Sequence, residues 1–474
     1  MRRILPFAGQ NRNTKTILAV AALFAGFFAP FAQAIERLDV KSPVHEYKLD
    51  NGLKILVKQD NRAPIAVVEL WYKVGSSYEH DGLTGVSHVV EHMMFKGTQK
   101  HPTGEFSRII AENGAEDNAF TSDDYTAYYQ IIAADRLEVA FELESDRVRN
   151  LTLPPAEFKK ELEVVKEERR WRTEDKPPAL TREQFSAVAF LNSPYKNPVI
   201  GWPSDLNAMQ VEDLRAWYER WYAPNNATLV VVGDVEPDKV YELAKQYYGP
   251  LKPTPDIAPP KPQVEVEQKG LRTLVVKAPA ELPYLLMGYK TPALINAKEK
   301  WEPYALEVLA GIMDGGNSSR FARELVRGQE IAADASAWYS GYGRMSDLFS
   351  LSGTPSKGIT VETLKAALLT QVEKLKTEQV SAAELERVKA GVIAGEIYQR
   401  DSQQGQAEQL GSLESVGLGY QLADEYVGNI LAVTPEQVQA VAKKYLVEDH
   451  LTIAELEPQP IDPNKSKFEP HFER

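Results

Sequence analysis

The sequence predicts an α+β protein made of two homologous halves, each a β-sheet packed with α-helices. Three observations carry this prediction. Runs of β-branched and aromatic residues alternate with helix-periodic stretches along the chain. A proline-rich break at 252–262 denies the backbone both helix and central strand and separates two long stretches. The ends of those stretches share a spacing: Leu214 to Thr228 and Val438 to Thr452 are both 14 positions, each running from a helix pattern into an apolar strand pattern.

Taken in order, residues 1–34 read as a secretory leader. Arg2, Arg3, Arg12 and Lys15 precede an apolar run at 17–31, and Ala32-Gln33-Ala34 gives the small-x-small pattern of a cleavage site. The expectation is export to the periplasm, with membrane anchoring if the leader is retained and no stable insertion otherwise. The first half spans 35–250. Its segments 44–49 and 53–59 flank Asp50-Asn51-Gly52, a hairpin signal. Segments 66–74 and 125–132 have strand composition, and 134–149 and 155–170 are helix-periodic, the latter opened by Pro154-Pro155. A linker at 251–264 leads to the second half at 265–460, with helical patterns at 301–313 and 382–400, and to a tail at 461–474.

The chain has 474 residues, 54 Lys and Arg against 67 Asp and Glu, and a formal net charge of −13. Such a balance argues against nucleic acid as a partner. There is no cysteine, so any metal site must be built from His, Asp or Glu.

His88-Val89-Val90-Glu91-His92 supplies that chemistry. Positions four apart lie above one another on a helix, so His88 and His92 can reach one ion while Glu91 projects from the adjoining edge. The surrounding residues Val86, Val89, Val90, Met93, Met94 and Phe95 are apolar nearly all round, the mark of a buried helix. Buried ionisable groups need partners, and a shared metal satisfies all three; two hydrogen-bonded core histidines are the alternative. A third ligand is expected from 157–170, where Glu161 and Glu168 share a face with Val164 and Val165. Glu168 is the expected ligand, Glu161 the group that orients a ligand, and Glu167 the competing choice one helix position away.

His88-x-x-Glu91-His92, followed 76 positions after His92 by Glu168, resembles the inverzincin peptidases of the pitrilysin and mitochondrial processing peptidase family. The segments Asn118-Ala119-Phe120-Thr121-Ser122-Asp123-Asp124-Tyr125-Thr126 and Ser318-Ser319-Arg320-Phe321 resemble it too. The likeness covers the whole chain after the leader, in the short two-half form of processing peptidases and bacterial relatives.

The resemblance implies a clam-like peptidase chamber with one Zn2+ per chain, held by His88, His92 and Glu168. It implies a zinc-dependent endopeptidase acting on unfolded peptides, with Glu91 as general base and substrate added as a strand along Asn118, Ala119, Phe120 and Thr121. Active relatives often carry an arginine and a tyrosine seven apart in the second half; here those positions fall on Val326 and Ala333, which cannot donate the hydrogen bonds. A homologous sister chain supplying the missing clamp is therefore the expected partner, making this the catalytic subunit of a heterodimer. A non-catalytic peptide-binding or assembly subunit of the same fold is the alternative, and retention of all four site residues speaks against it.

Overall fold

The computed structural model describes residues 43–261 and 263–461; the leader at 1–34 and all but the first residue of the tail lie outside the described residues. The first half opens with β1 (Val44–Lys48) and β2 (Lys54–Gln59), the antiparallel hairpin expected from Asp50-Asn51-Gly52, with Gly52 at φ 94° in its turn. After β3 (Ile65–Tyr72) come α1 (Val86–Met93), α2 (Glu105–Glu112), β4 (Glu116–Thr121) and β5 (Thr126–Ala133). Helices α3 (Leu137–Arg149), α4 (Pro155–Arg169), α5 (Pro177–Ala189), α6 (Pro203–Ala208) and α7 (Val211–Trp221) then lead to β6 (Ala227–Gly233) and α8 (Pro237–Tyr247).

Residues 250–271 carry no helix or strand among those described, as their prolines dictate. The second half comprises β7 (Arg272–Pro279), β8 (Tyr284–Thr291), α9 (Glu302–Asp314), β9 (Ala332–Tyr339) and β10 (Asp347–Pro355). It continues through α10 (Val361–Thr377), α11 (Ala382–Asp401), α12 (Gln403–Ser415), α13 (Leu422–Ala432) and α14 (Pro435–Tyr445) to β11 (Leu451–Gln459).

The two sheets have one topology. The first runs β1-β2-β6-β3-β5-β4 and the second β7-β11-β8-β10-β9, so that without β1 the two orders coincide. In both, the first strand pairs in parallel with the last strand of its half (β2 with β6, β7 with β11), and every other pairing is antiparallel. The halves are homologous, and the 14-position spacing marks the same helix-to-strand passage, α7 to β6 and α14 to β11.

Each sheet buries one face against its own helices. In the first half Val68, Leu70 and Tyr72 of β3 meet Val86, Val89 and Val90 of α1 and Leu214, Trp217 and Trp221 of α7. The opposite faces are covered by exchange. Helix α5 of the first half lies on β7, β8 and β11, packing Phe185 and Ala189 against Val276, Leu286 and Ala454. Helix α12 of the second half lies on β3 and β6, packing Ala407 and Leu410 against Val67, Trp71 and Val232.

Both contacts depend on a glycine facing an aromatic ring. A Cβ at Gly411 of α12 would stand 2.2 Å from Trp71 Nε1, and one at Gly288 of β8 would stand 2.7 Å from Phe185 Cζ. The Trp71 indole is fixed in turn, because Nε1 donates to Glu69 Oε2 at 2.8 Å. Burial pushes the Glu69 carboxyl well above the usual carboxylate range, which suits an acid enclosed between sheet and helix.

Strand β4 forms one edge of the first sheet, and no strand among the described residues pairs along its outer side. That edge runs beside α1, and the chemistry gathers there.

Candidate active site between helices α1 and α4

Helix α1 starts at Gly85, whose φ of 87° suits a residue without a side chain; a Cβ there would lie 2.7 Å from the Ile200 carbonyl oxygen. The first turn leaves backbone N–H groups without helical partners. Glu79, brought back by the preceding loop, accepts from Gly85 N at 2.7 Å and Ser87 N at 2.8 Å. Burial nonetheless pushes its carboxyl up to about 8, against the pull of those two bonds. The capped helix then presents His88, Glu91 and His92 on the side turned toward α4, with Val86, Val89 and Val90 in the core behind them.

Helix α4 resolves the choice of phase. Glu168 Oε2 lies 3.2 Å from His92 Nε2 and 3.8 Å from His88 Nε2, whereas Glu167 turns away and pairs with Arg170. One ligand atom from each of His88, His92 and Glu168 falls within a 4.8 Å cluster. The two imidazole rings are 4.9 Å apart between centroids and inclined at 71°.

Glu161 lies beside His92. Its Oε2 faces His92 Nδ1 at 3.4 Å while Lys96 Nζ holds Oε1 at 2.8 Å. This leaves His92 Nε2 directed at Glu168, the arrangement that fixes which nitrogen of a ligating histidine is free.

The donor set fits a divalent cation. Burial alone would lower the His92 pKa, but Glu161 and Glu168 outweigh it and raise the imidazole to about 9. Glu168 is also opposed by burial, and His92, His88 and Arg172 bring it down to about 2. Carboxylates on both sides of His92 therefore favour positive charge at this site. Two imidazole nitrogens and one carboxylate oxygen are a ligand set that zinc favours when a fourth position is left open.

Two partners were not anticipated from the sequence. Arg172 Nε donates to Glu168 Oε1 at 2.9 Å, so one oxygen of this carboxylate faces the histidines and the other is held by the guanidinium. The signal was present as an i,i+4 acid–base spacing, but α4 passes into a π-helical turn at Arg170–Glu174, which helix periodicity did not foretell. The second is Thr121, expected only as part of a substrate strand. Its Oγ1 donates to Glu91 Oε2 at 2.7 Å.

A groove of about 610 Å³ opens over these groups, lined by His88, Glu91 and Glu168 and by Ala119, Phe120 and Thr121 of β4. Asn118 lies on the same strand outside this lining, and its Oδ1 accepts from Ala119 N at 2.9 Å. The two clamp positions lack donors, as the sequence indicated: Val326 is half-buried and Ala333 lies exposed near the start of β9. The second half does send Arg344 across to the first. Its backbone N–H donates to Asp124 Oδ2 at 2.9 Å, its Nη2 to Ser77 Oγ at 2.9 Å, and its guanidinium covers Tyr78 at 4.2 Å.

Residues 54–202 match the family pattern described as "Insulinase (Peptidase family M16)", and residues 208–392 match "Peptidase M16 inactive domain". The zinc protease PqqE of Helicobacter pylori is 34% identical over 368 residues, covering 76% of this chain and 81% of that protein. YmxG of Bacillus subtilis, also described as a zinc protease, is 25% identical over 409 residues, covering 86% and 97%. The crystal structure of a protease from Helicobacter pylori superposes with a TM-score of 0.83 at 30% identity, covering 88% of this chain and all of that one. With the two matched segments spanning most of both halves and a relative above 30% identity aligned over most of its length, the chain belongs to peptidase family M16.

Proposed function

We propose that this chain is a zinc-dependent endopeptidase that hydrolyses unfolded peptides. The observation that carries the reading is the convergence of His88, His92 and Glu168 within 4.8 Å, with Glu91 tethered to the adjoining strand edge by Thr121. His88, His92 and Glu168 would hold the ion, one per chain. Bound there, zinc supplies Lewis acidity, which makes a water acidic near neutral pH and polarises a carbonyl.

The chain's own residues do the remainder. Glu91 takes the proton of the attacking water at Oε1 or Oε2 and passes it to the leaving amine nitrogen as the peptide bond breaks. Thr121 orients Glu91, Glu161 orients His92, and Arg172 orients Glu168. The free edge of β4 offers backbone N–H and C=O groups to an extended substrate, which favours unfolded segments over folded ones. Ala119, Phe120 and Thr121 would take the substrate strand, with Asn118 at its margin.

In this reading the chain is the catalytic member of a pair. A homologous sister chain would bring the arginine and tyrosine that Val326 and Ala333 cannot replace. Export to the periplasm, directed by residues 1–34, completes the proposal; among the described residues no helix is long and apolar enough to cross a membrane.

The deciding experiment measures bound zinc and peptide cleavage for the chain lacking residues 1–34, alone and mixed with its closest paralogue, beside Glu91→Gln. The expected result is one zinc per chain in both proteins, turnover falling by about 10²–10⁴ in the variant, and stimulation by the paralogue. Absence of zinc from the wild type, or robust cleavage by Glu91→Gln, would overturn the mechanism. Full activity unchanged by any paralogue would overturn the pairing.

A further inference from the structure

The charges lining the groove are not equivalent once those already engaged are set aside. Of its acids, Glu91 and Glu168 belong to the centre just described. Glu183 is fully engaged, since Arg169 Nη1 and Nη2 donate to its two oxygens at 2.7 and 2.8 Å. Asp123 accepts from Ser76 Oγ at 2.9 Å, and burial pushes its carboxyl up to about 7, so it is only partly ionised near neutral pH.

The cations are differently placed. Arg172 keeps Nε on Glu168 and is otherwise exposed. Among the described residues, Lys196 has only an exposed acid in reach, Asp81 Oδ1 at 3.8 Å. Arg182 is exposed, and no carboxylate among the described residues comes within ion-pairing distance of it; its guanidinium stands 6.0 Å from the Trp338 ring of β9. Its helix is firmly seated, because Phe185 and Ala189 of α5 are buried in the sheet of the second half. Arg182 is thus a cation without a counter-charge, fixed on a rigid element at the mouth of the catalytic groove.

We propose that the groove selects peptides carrying an aspartate or glutamate close to the scissile bond, and that Arg182 is the specificity-determining residue that pairs with it, assisted by Lys196. A guanidinium suits this task because its planar fork meets a carboxylate through two parallel N–H···O bonds. The net charge of −13 would by itself repel such a peptide, so the preference arises locally and is expected to change with one side chain. The inference rests on the peptidase reading for the groove's role, and its test is separable from that reading.

The test uses zinc-loaded Glu91→Gln protein, so that binding is measured without cleavage. Fluorescent decapeptides identical except for Glu, Gln or Lys scanned through each position are titrated by anisotropy. The Glu peptide should bind about tenfold more tightly than the Lys peptide at its best register, as one or two partly desolvated ion pairs allow. Adding Arg182→Gln should level the two, and adding Arg182→Glu should invert them; Lys196→Gln should reduce the gap. Equal affinity, tighter binding of the Lys peptide, an unchanged ranking in Arg182→Glu, or no binding of any peptide would each overturn the inference. The same peptides offered to wild-type protein separate the two readings. Cleavage without acidic preference would sink the selectivity alone, and selective binding without cleavage would sink the peptidase reading alone.

Discussion

Thr121 Oγ1 donates a 2.7 Å hydrogen bond to Glu91 Oε2, joining the edge strand of the first sheet to the helix that bears both histidines. A general base that must point at a small target gains from such a tether, because a carboxylate free to rotate spends less time aligned. Thr121→Val keeps the shape of the side chain and removes the donor. It should lower kcat about tenfold with zinc content unchanged, while Thr121→Ser should retain most of the activity. Steady-state kinetics beside elemental analysis checks this; an unaltered kcat in the valine variant refutes it.

Arg172 and Glu161 grip the groups expected to hold the metal from behind. Removing such supports commonly weakens metal binding 10–100-fold. Arg172→Ala and Glu161→Gln should each raise the zinc dissociation constant about 10–100-fold without altering the fold. Competition with a chromophoric chelator measures the constant, and wild-type affinity in both variants would exclude the supporting role.

Gly411 faces Trp71 across the interface between α12 and the first sheet. Alanine is the better helix former by about 1 kcal/mol, so Gly411→Ala would stabilise an unobstructed helix. Here the added methyl would meet an indole held by Glu69, and the helix or the sheet must move. The net effect should be destabilisation of about 1–3 kcal/mol, the usual range for an overfilled core. Chemical denaturation of the two proteins gives the sign, and a more stable variant refutes the argument.

Stability should peak in mildly acid solution. Burial raises Asp123 to about 7, Glu307 to about 7, Asp347 to about 6 and Glu79 to about 8. From about pH 4.5 to 8 the folded chain keeps protons that the unfolded chain has released, so stability falls as pH rises. At the acid end the sign reverses. Asp60 is lowered to about 2 by its bonds from Arg62, and Glu324 to about 2, where Lys374, Arg323 and Gln371 outweigh burial. The unfolded chain then takes up protons first, and stability falls as pH drops below about 4. Melting temperatures of metal-stripped protein should therefore pass a maximum at about pH 4–4.5. Glu307→Gln with Asp123→Asn should flatten the alkaline limb; a melting temperature rising from pH 5 to 8 would contradict the sign.

The periodicity of the sequence carried β1, β2, β3, β5, β6 and β11, the helices α1, α3, α4, α9 and α11, and the duplication, because each depends on local pattern. Helix phase was harder. Glu167 and Glu168 are one position apart, and the choice rests on how α4 is rotated against α1, which local pattern does not encode. The exchange of α5 and α12 was illegible for a related reason: Phe185 and Leu410 announce an apolar face but not which sheet will cover it. Arg172 escaped notice because the last turn of α4 widens into a π-helical turn. His101, whose neighbours in sequence are polar, is half-buried with Nε2 at 3.0 Å from Glu142, so a polar neighbourhood in sequence is no guide to its exposure.

The crossing over of α5 and α12 makes the peptide link between the halves dispensable for holding them together. A nick within residues 250–271 would yield two fragments interlocked like clasped hands, each with its helix under the other's palm. They would elute from a sizing column as one species and part only under denaturant. Either fragment made alone would lack a covering helix, leave Trp71 or Leu286 facing water, and be driven to aggregate or to seek its missing mate.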